Sequence, residues 1–134
     1  MRNTTLALGA LLAGITIAMG ALGAHALKDI LNAAQLQTYE TAVRYQMYHV
    51  FALLLIGILQ NQYPHLTLSI CKKLVLVGML LFGGSIYLIL LLTHLAIAIP
   101  FWIYLITPMG GLCYISSWLL LVAKLYRKSQ KVEN

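Results

Sequence analysis

Residues 40–59 read ETAVRYQMYHVFALLLIGIL, and the character of the chain changes halfway along this stretch. The second half is a continuous apolar run of the kind found in helices embedded in lipid. The first half carries Glu40, Arg44, Gln46 and His49 at spacings that bring side chains together on one helix. The stretch therefore predicts a membrane helix that carries polar groups into its apolar part.

The composition of the whole chain agrees with a bilayer as the solvent. Of 134 residues 61% are hydrophobic and 9% are charged, and the mean hydropathy is +0.87. A soluble domain carries roughly 25% charged residues. The apolar segments are each long enough to cross ~30 Å of hydrocarbon, and they are continuous where barrel strands would alternate. They predict one all-α integral membrane domain, a four-helix bundle with helices at 4–25, 44–60, 72–94 and 106–126.

Two boundary signals refine this outline. Asn32 and Gln35 have the spacing of a capping box, which predicts a short amphipathic interfacial helix over 33–43 between the first and second spans. One continuous, bent helix from 33 to 60 fits the same pattern. Thr107 and Pro108 read as the N-cap and first residue of the last helix.

The basic residues predict the orientation in the membrane. With four crossings, one side holds seven of the nine Lys and Arg residues, and the other holds only Lys28 and Arg44. The positive-inside rule then places both termini in the cytoplasm of a bacterial inner membrane. Because the positive charges lie at the membrane ends, they favour anionic lipid as a partner and disfavour nucleic acid. A cleavable signal peptide ending at 24–26 is less favoured, since the apolar run is too long for one.

Several polar residues fall at similar depths when 1.5 Å per residue is counted from the basic anchors. Polar residues inside a membrane are candidates for a functional site, although interhelical hydrogen bonds that only hold a bundle together use the same residue types. We expect Gln46 and His49 to face the bundle and to find partners on the third or fourth span. The candidate binding or polar cluster comprises His25, Arg44, Tyr45, Gln46, His49, Ser85, Tyr87 and Thr107.

Small residues at helical spacing predict where backbones approach one another closely in lipid. The candidates for close packing are Gly14, Gly23, Gly84, Gly110 and Gly111.

The sequence offers little for catalysis or cofactors. It contains no nucleophile, base and orienting group in one constellation, so we do not expect an enzyme. Cys71 and Cys113 fall at different depths and are not a metal site, and His25 and His94 lie ~10 Å above His49, which disfavours a haem held by two histidines. We expect no cofactor and no bound metal.

Four stretches in order resemble one family: GALGAHAL at 20–27, TAVRYQMYH at 41–49, FGGSIYLI at 82–89 and ITPMGG at 106–111. They are similar to the small membrane proteins called domain of unknown function 423, whose eukaryotic relatives form the transmembrane protein 256 group. The resemblance implies a four-helix bacterial inner-membrane protein with no assigned activity. Gly83 and Ser117 depart from the family pattern, in which we expect serine and glycine respectively.

Three hypotheses for function remain. The first is a non-enzymatic bundle that acts through packing, as an accessory subunit of a larger membrane complex, as a homo-oligomer or in contact with lipid. The second is a small transporter or carrier whose polar pocket lies in the outer half, around Gln46, His49 and Tyr87. The third, binding of haem or a quinone, has less support.

Overall fold

A computed structural model describes residues 4–132 of the chain, and the side chains of residues 4–126. Within these residues every regular element is helical. The elements are α1 (Thr4–Ala24), a 3₁₀ turn (Leu27–Asp29), α2 (Ala33–Gln62), α3 (Ser69–Gly78), a π-helical turn (Met79–Gly83), α4 (Gly84–His94) and α5 (Phe101–Val132). Since α3, the π turn and α4 run on without a break, they form one span, and the described chain has four helices long and apolar enough to cross a membrane.

The four spans run up and down in alternation. Thr5 meets Gln60 and Gly23 meets Tyr39, so α1 and α2 are antiparallel. Ser85 meets Thr107 and Ser117 meets Cys71, so the third span and α5 are antiparallel as well. We call the end of the bundle with Ala24, Ala33, His94 and Phe101 the Ala24 end, and the opposite end the Thr4 end.

Neighbours in the bundle follow chain order. Helix α1 packs mainly on α2, α2 packs on the third span, and the third span packs on α5. Apolar clusters fill both halves, one around Leu53, Ile56 and Val75 and the other around Ala42 and Leu90. The buried polar groups Gln46, His49 and Ser85 lie between these two clusters.

The start of α2 confirms the predicted capping box. The Asn32 side chain accepts from the Gln35 backbone N–H at 2.9 Å, and the Gln35 side chain accepts from the Asn32 N–H at 3.0 Å. Residues 33–43, however, are the first turns of α2 and are not a separate helix. Tyr39 is buried, and its hydroxyl donates to the Met19 carbonyl of α1 at 2.8 Å, which keeps this segment in the bundle.

The predicted N-cap at Thr107 is wrong. Helix α5 begins at Phe101 and contains Pro108. Proline cannot donate a backbone hydrogen bond to the carbonyl four residues earlier, but a complete break in an apolar environment would leave several backbone groups unpaired. The helix therefore continues, and the Thr107 hydroxyl pairs with Ser85 of α4 at 2.6 Å.

A C-cap motif ends helix α4. The Ala96 N–H donates to the Thr93 carbonyl and the Ile97 N–H to the Leu92 carbonyl, which is the Schellman pattern. Ala96 takes the left-handed conformation (φ 53°) that this pattern requires, at a position where glycine is usual. The turn directs the chain into α5.

The predicted close-packing glycines have different environments. A Cβ at Gly23 would collide with the Tyr39 ring, and one at Gly110 would collide with the Phe82 backbone. At Gly84 and Gly111 it would make only ordinary contacts, and at Gly14 it would meet nothing within 4 Å. Close approaches also occur at Gly9, Gly57 and Gly78.

The basic residues used for the orientation are described only in part. Arg2 and the side chains of Arg127, Lys128 and Lys131 lie outside the described residues. Lys72 and Lys73, near the start of α3, and Lys124, late in α5, lie towards the Thr4 end.

Gly110→Ala should destabilise the bundle by about 1–3 kcal/mol, because the added methyl forces the π turn away from α5. Gly14→Ala is the matched control, since the same methyl enters open space. Chemical denaturation of both variants in the same detergent measures the difference. Equal stabilities would contradict the close approach at Gly110.

Candidate functional site

Gln46 lies at the centre of a hydrogen-bonded chain that joins three helices. Its amide nitrogen donates to the Thr16 hydroxyl of α1 at 2.8 Å, and its amide oxygen accepts from the Tyr87 hydroxyl of α4 at 3.2 Å. Thr16 in turn donates to the Leu12 carbonyl at 2.6 Å. Each donor in this chain has an acceptor, so the expectation that Gln46 faces the bundle and pairs with Tyr87 is confirmed.

A second polar contact joins α4 to α5. The Ser85 hydroxyl lies 3.0 Å from the Phe82 carbonyl, to which it donates, and 2.6 Å from the Thr107 hydroxyl. With Ser85 donating to the carbonyl, Thr107 is the donor between the two hydroxyls. This pair is also satisfied internally.

His49 has a different environment. Its ring is 6% exposed and stacks on the Tyr114 ring of α5, with the centroids 3.4 Å apart and the planes 12° from parallel. Its Nδ1 atom lies 2.8 Å from the Tyr45 carbonyl oxygen. Since a carbonyl can only accept, Nδ1 carries a proton, and in the neutral ring Nε2 is then the acceptor. His49 therefore faces the bundle, but its polar partner is on its own helix.

Two buried polar atoms of this stack have no hydrogen-bond partner among the described residues. They are His49 Nε2 and the Tyr114 hydroxyl. Tyr114 is 4% exposed, so neither group can rely on solvent. A buried polar atom without a hydrogen-bond partner lowers the stability of the folded protein by about 1–3 kcal/mol. The stack contains one such acceptor and one such donor.

Both side chains line a cleft of about 490 Å³ between α2 and α5. Tyr45, Ile115 and Trp118 are 42%, 58% and 42% exposed, so the cleft opens on the surface of the bundle that faces the membrane. Five of the lining residues carry aromatic rings, and the cleft is bounded by Thr41, Tyr45, His49, Phe82, Gly111, Tyr114, Ile115 and Trp118.

The predicted cluster thus divides into separate groups. Gln46 and Tyr87 belong to the chain that leads to α1, Ser85 pairs with Thr107, and His49 faces α5 with Tyr45 at the mouth of its cleft. His25 and Arg44 are exposed.

Sequence reasoning missed Thr16 and Tyr114. Threonine hydroxyls commonly bond to their own helix, so Thr16 gave no signal of an interhelical role. Tyr114 lies at a depth similar to that of His49 and could have been found by the same counting along α5.

The family model described as "Protein of unknown function (DUF423)" matches residues 19–111. The chain belongs to this family. The match includes Gln46, His49, Ser85 and Tyr87, while Thr16 and Tyr114 lie just outside it.

Curated relatives extend over most of the chain. A UPF0382 membrane protein of Staphylococcus saprophyticus is 42% identical, over 86% of this chain and 90% of its own length. One from Staphylococcus haemolyticus is 36% identical, over 90% and 93%. The UPF0382 inner membrane protein YgdD of Escherichia coli is 29% identical, over 87% and 85%. No solved structure matches the chain. The chain is therefore a small membrane protein of a family without an assigned activity.

The Gln46 chain predicts a measurable coupling between helices. Gln46→Leu and Tyr87→Phe should each destabilise the bundle, and a double-mutant cycle should give a coupling energy of about 0.6 kcal/mol, the average for hydrogen bonds between membrane helices. Reversible unfolding in detergent provides the four free energies. Ser85→Ala combined with Tyr87→Phe is the control and should be additive, because these two side chains share no hydrogen bond. A coupling energy of zero between Gln46 and Tyr87 would contradict a stabilising hydrogen bond between these two side chains.

Proposed function

We propose that this chain is a non-enzymatic bundle of the bacterial inner membrane that acts by contact, as an accessory subunit beside other membrane proteins and lipid. The observation that carries the proposal is that most interior polar groups of the described residues pair with one another inside the bundle, the exceptions being His49 Nε2, the Tyr114 hydroxyl and Asn61 Oδ1. Gln46, Ser85 and Ser117 all bond to other groups of the bundle. Such pairing holds helices together and does not by itself create a catalytic centre.

The surface supports action by contact. Helix α1 packs mainly on α2, and its other side exposes Leu11 (61%) and Ile17 (64%) together with Gly14. On α5, Phe101 and Leu119 are exposed by 75% and 66%. Apolar faces of this extent require lipid or the apolar face of another membrane protein around them.

The location and orientation form part of the proposal. One relative is named as an inner membrane protein, and Lys72, Lys73 and Lys124 lie towards the Thr4 end. The positive-inside rule assigns that end to the cytoplasm.

Cysteine labelling tests the orientation. In a variant with Cys71 and Cys113 replaced by serine, Ala33→Cys should react with a membrane-impermeant maleimide in spheroplasts of an Escherichia coli host. A cysteine at Pro64, in the turn at the opposite end, should react only after lysis. The reversed pattern would overturn the assignment of the Thr4 end to the cytoplasm.

Native mass analysis tests the accessory role. Extracted in a mild detergent from its own membrane, the protein should be recovered in a complex larger than one chain, with a second protein or with copies of itself. Extraction in a harsh detergent should release the single chain, which serves as the control. Recovery of monomer alone under the mild condition would count against a subunit role.

A carrier is the second candidate function, because Gln46 is hydrogen-bonded to Tyr87 and His49 lies one turn from Gln46 on α2, although His49 faces α5. Flux into proteoliposomes distinguishes the two functions. Transport of small polar solutes that His49→Ala abolishes would favour the carrier, whereas flux unchanged by this substitution would exclude the proposed pocket as a pathway.

A further inference from the structure

The cleft between α2 and α5 holds a donor and an acceptor that the bundle itself does not use. His49 Nε2 accepts and the Tyr114 hydroxyl donates, and neither has a partner among the described residues. Elsewhere among the described residues the buried hydroxyls and the Gln46 amide are paired, and the one other buried unpaired polar atom is Asn61 Oδ1, near the end of α2. The hydrocarbon region supplies no bulk water, so a molecule dissolved in the membrane is the partner available there.

A hydroxyl is the simplest single group that would satisfy both atoms. A ligand hydroxyl can donate its proton to Nε2 and accept the proton of Tyr114 on the same oxygen. A carbonyl or an ether oxygen could only accept, and would leave Nε2 without a partner. The stack is therefore complementary to an O–H group.

The aromatic walls of the cleft favour a ligand whose hydroxyl is attached to a ring. Tyr45, Phe82 and Trp118 surround the stack, and aromatic side chains favour offset or edge contacts with another ring. A volume of about 490 Å³ lies within the usual range for small-molecule sites. The open side faces lipid, which suits an apolar tail.

Access to the two unpaired atoms requires a side chain of the cleft wall to move. His49 Nε2 and the Tyr114 oxygen are both buried, so a ligand reaches them only when a neighbouring side chain moves. Phe82 lies on the π turn, with its ring 5.0 Å from that of Tyr45 and 5.8 Å from that of Tyr114, between centroids. Turns of this kind are frequent at functional sites.

The geometry points to a binding site for a lipid-soluble phenol or hydroquinone, with its ring among Tyr45, Phe82 and Trp118 and its hydroxyl between His49 Nε2 and the Tyr114 hydroxyl. This inference rests on the proposed function only in placing the cleft against lipid. The accessory role would stand if the cleft bound no phenol.

The test uses 4-octylphenol as the probe, with its methyl ether as the matched compound that lacks the O–H donor. Trp102→Phe in the full-length chain leaves Trp118, at the cleft, as the fluorescent reporter, and the protein is placed in phosphatidylcholine nanodiscs. We expect the phenol to bind about tenfold more tightly than the ether, the ratio expected of one well-made hydrogen bond. Equal affinity for the two compounds, or no binding of the phenol, would overturn the inference.

Two variants separate the roles of the two side chains. His49→Phe should lower the affinity for the phenol to that for the ether and leave the ether unaffected. Tyr114→Phe should weaken both compounds about tenfold, because each offers an oxygen to the tyrosine. Tyr104→Phe, the same change outside the cleft, should alter neither affinity.

The unfolding midpoint shows whether Tyr114→Phe remains folded. Tyr114→Phe removes a hydroxyl that has no partner, so its unfolding midpoint should equal or exceed that of the parent chain. If Tyr114→Phe retains the phenol affinity of the parent, or if His49→Phe retains a preference for the phenol over the ether, the assignment of the hydroxyl site is wrong.

Discussion

The hydrocarbon core of a membrane contains no water, so each polar group that a helix brings there must be paired by another part of the protein. The Gln46 side chain satisfies this constraint by pairing with two other helices. It donates to Thr16 on α1 and accepts from Tyr87 on α4, so that one amide fixes the positions of three helices. The peripheral helix α1 packs mainly on α2, and the pairing with Thr16 sets its register there.

His49 lies one turn further along the same helix, and only one of its two ring nitrogens is paired. Its Nδ1 is satisfied by the Tyr45 carbonyl of its own helix, and its ring gains the stacking contact with Tyr114. The remaining nitrogen and the tyrosine hydroxyl are left without partners among the described residues. Packing alone would be served as well by two phenylalanines, which would avoid this cost. The retained polar atoms distinguish this contact from the paired groups around Gln46.

The backbone of the third span makes both environments possible. At the π turn the backbone hydrogen bonds span five residues where an α-helix spans four, and Phe82 lies between Tyr45 and Tyr114. Gly110 of α5 lets the Phe82 backbone approach so closely that no side chain fits between them. On the next turn Ser85 reaches Thr107. The same short segment thus determines how α4 meets α5 and how the cleft beside α2 is closed.

The sequence by itself determined the class of protein, the four spans, the capping box at Asn32 and the inward direction of Gln46. These follow from local composition and helical periodicity, which depend on neighbouring residues and on the solvent alone. Only the tertiary structure decided that residues 33–43 continue into α2, that Pro108 lies inside α5, and that the predicted polar cluster separates into distinct groups. It also decided that Gly110 is packed tightly while Gly14 faces open space, although the sequence predicted close packing at both glycines. The physical reason is that these outcomes depend on which side chain of another helix arrives at the same depth and rotation, and the spacing within one helix carries no information about its neighbour.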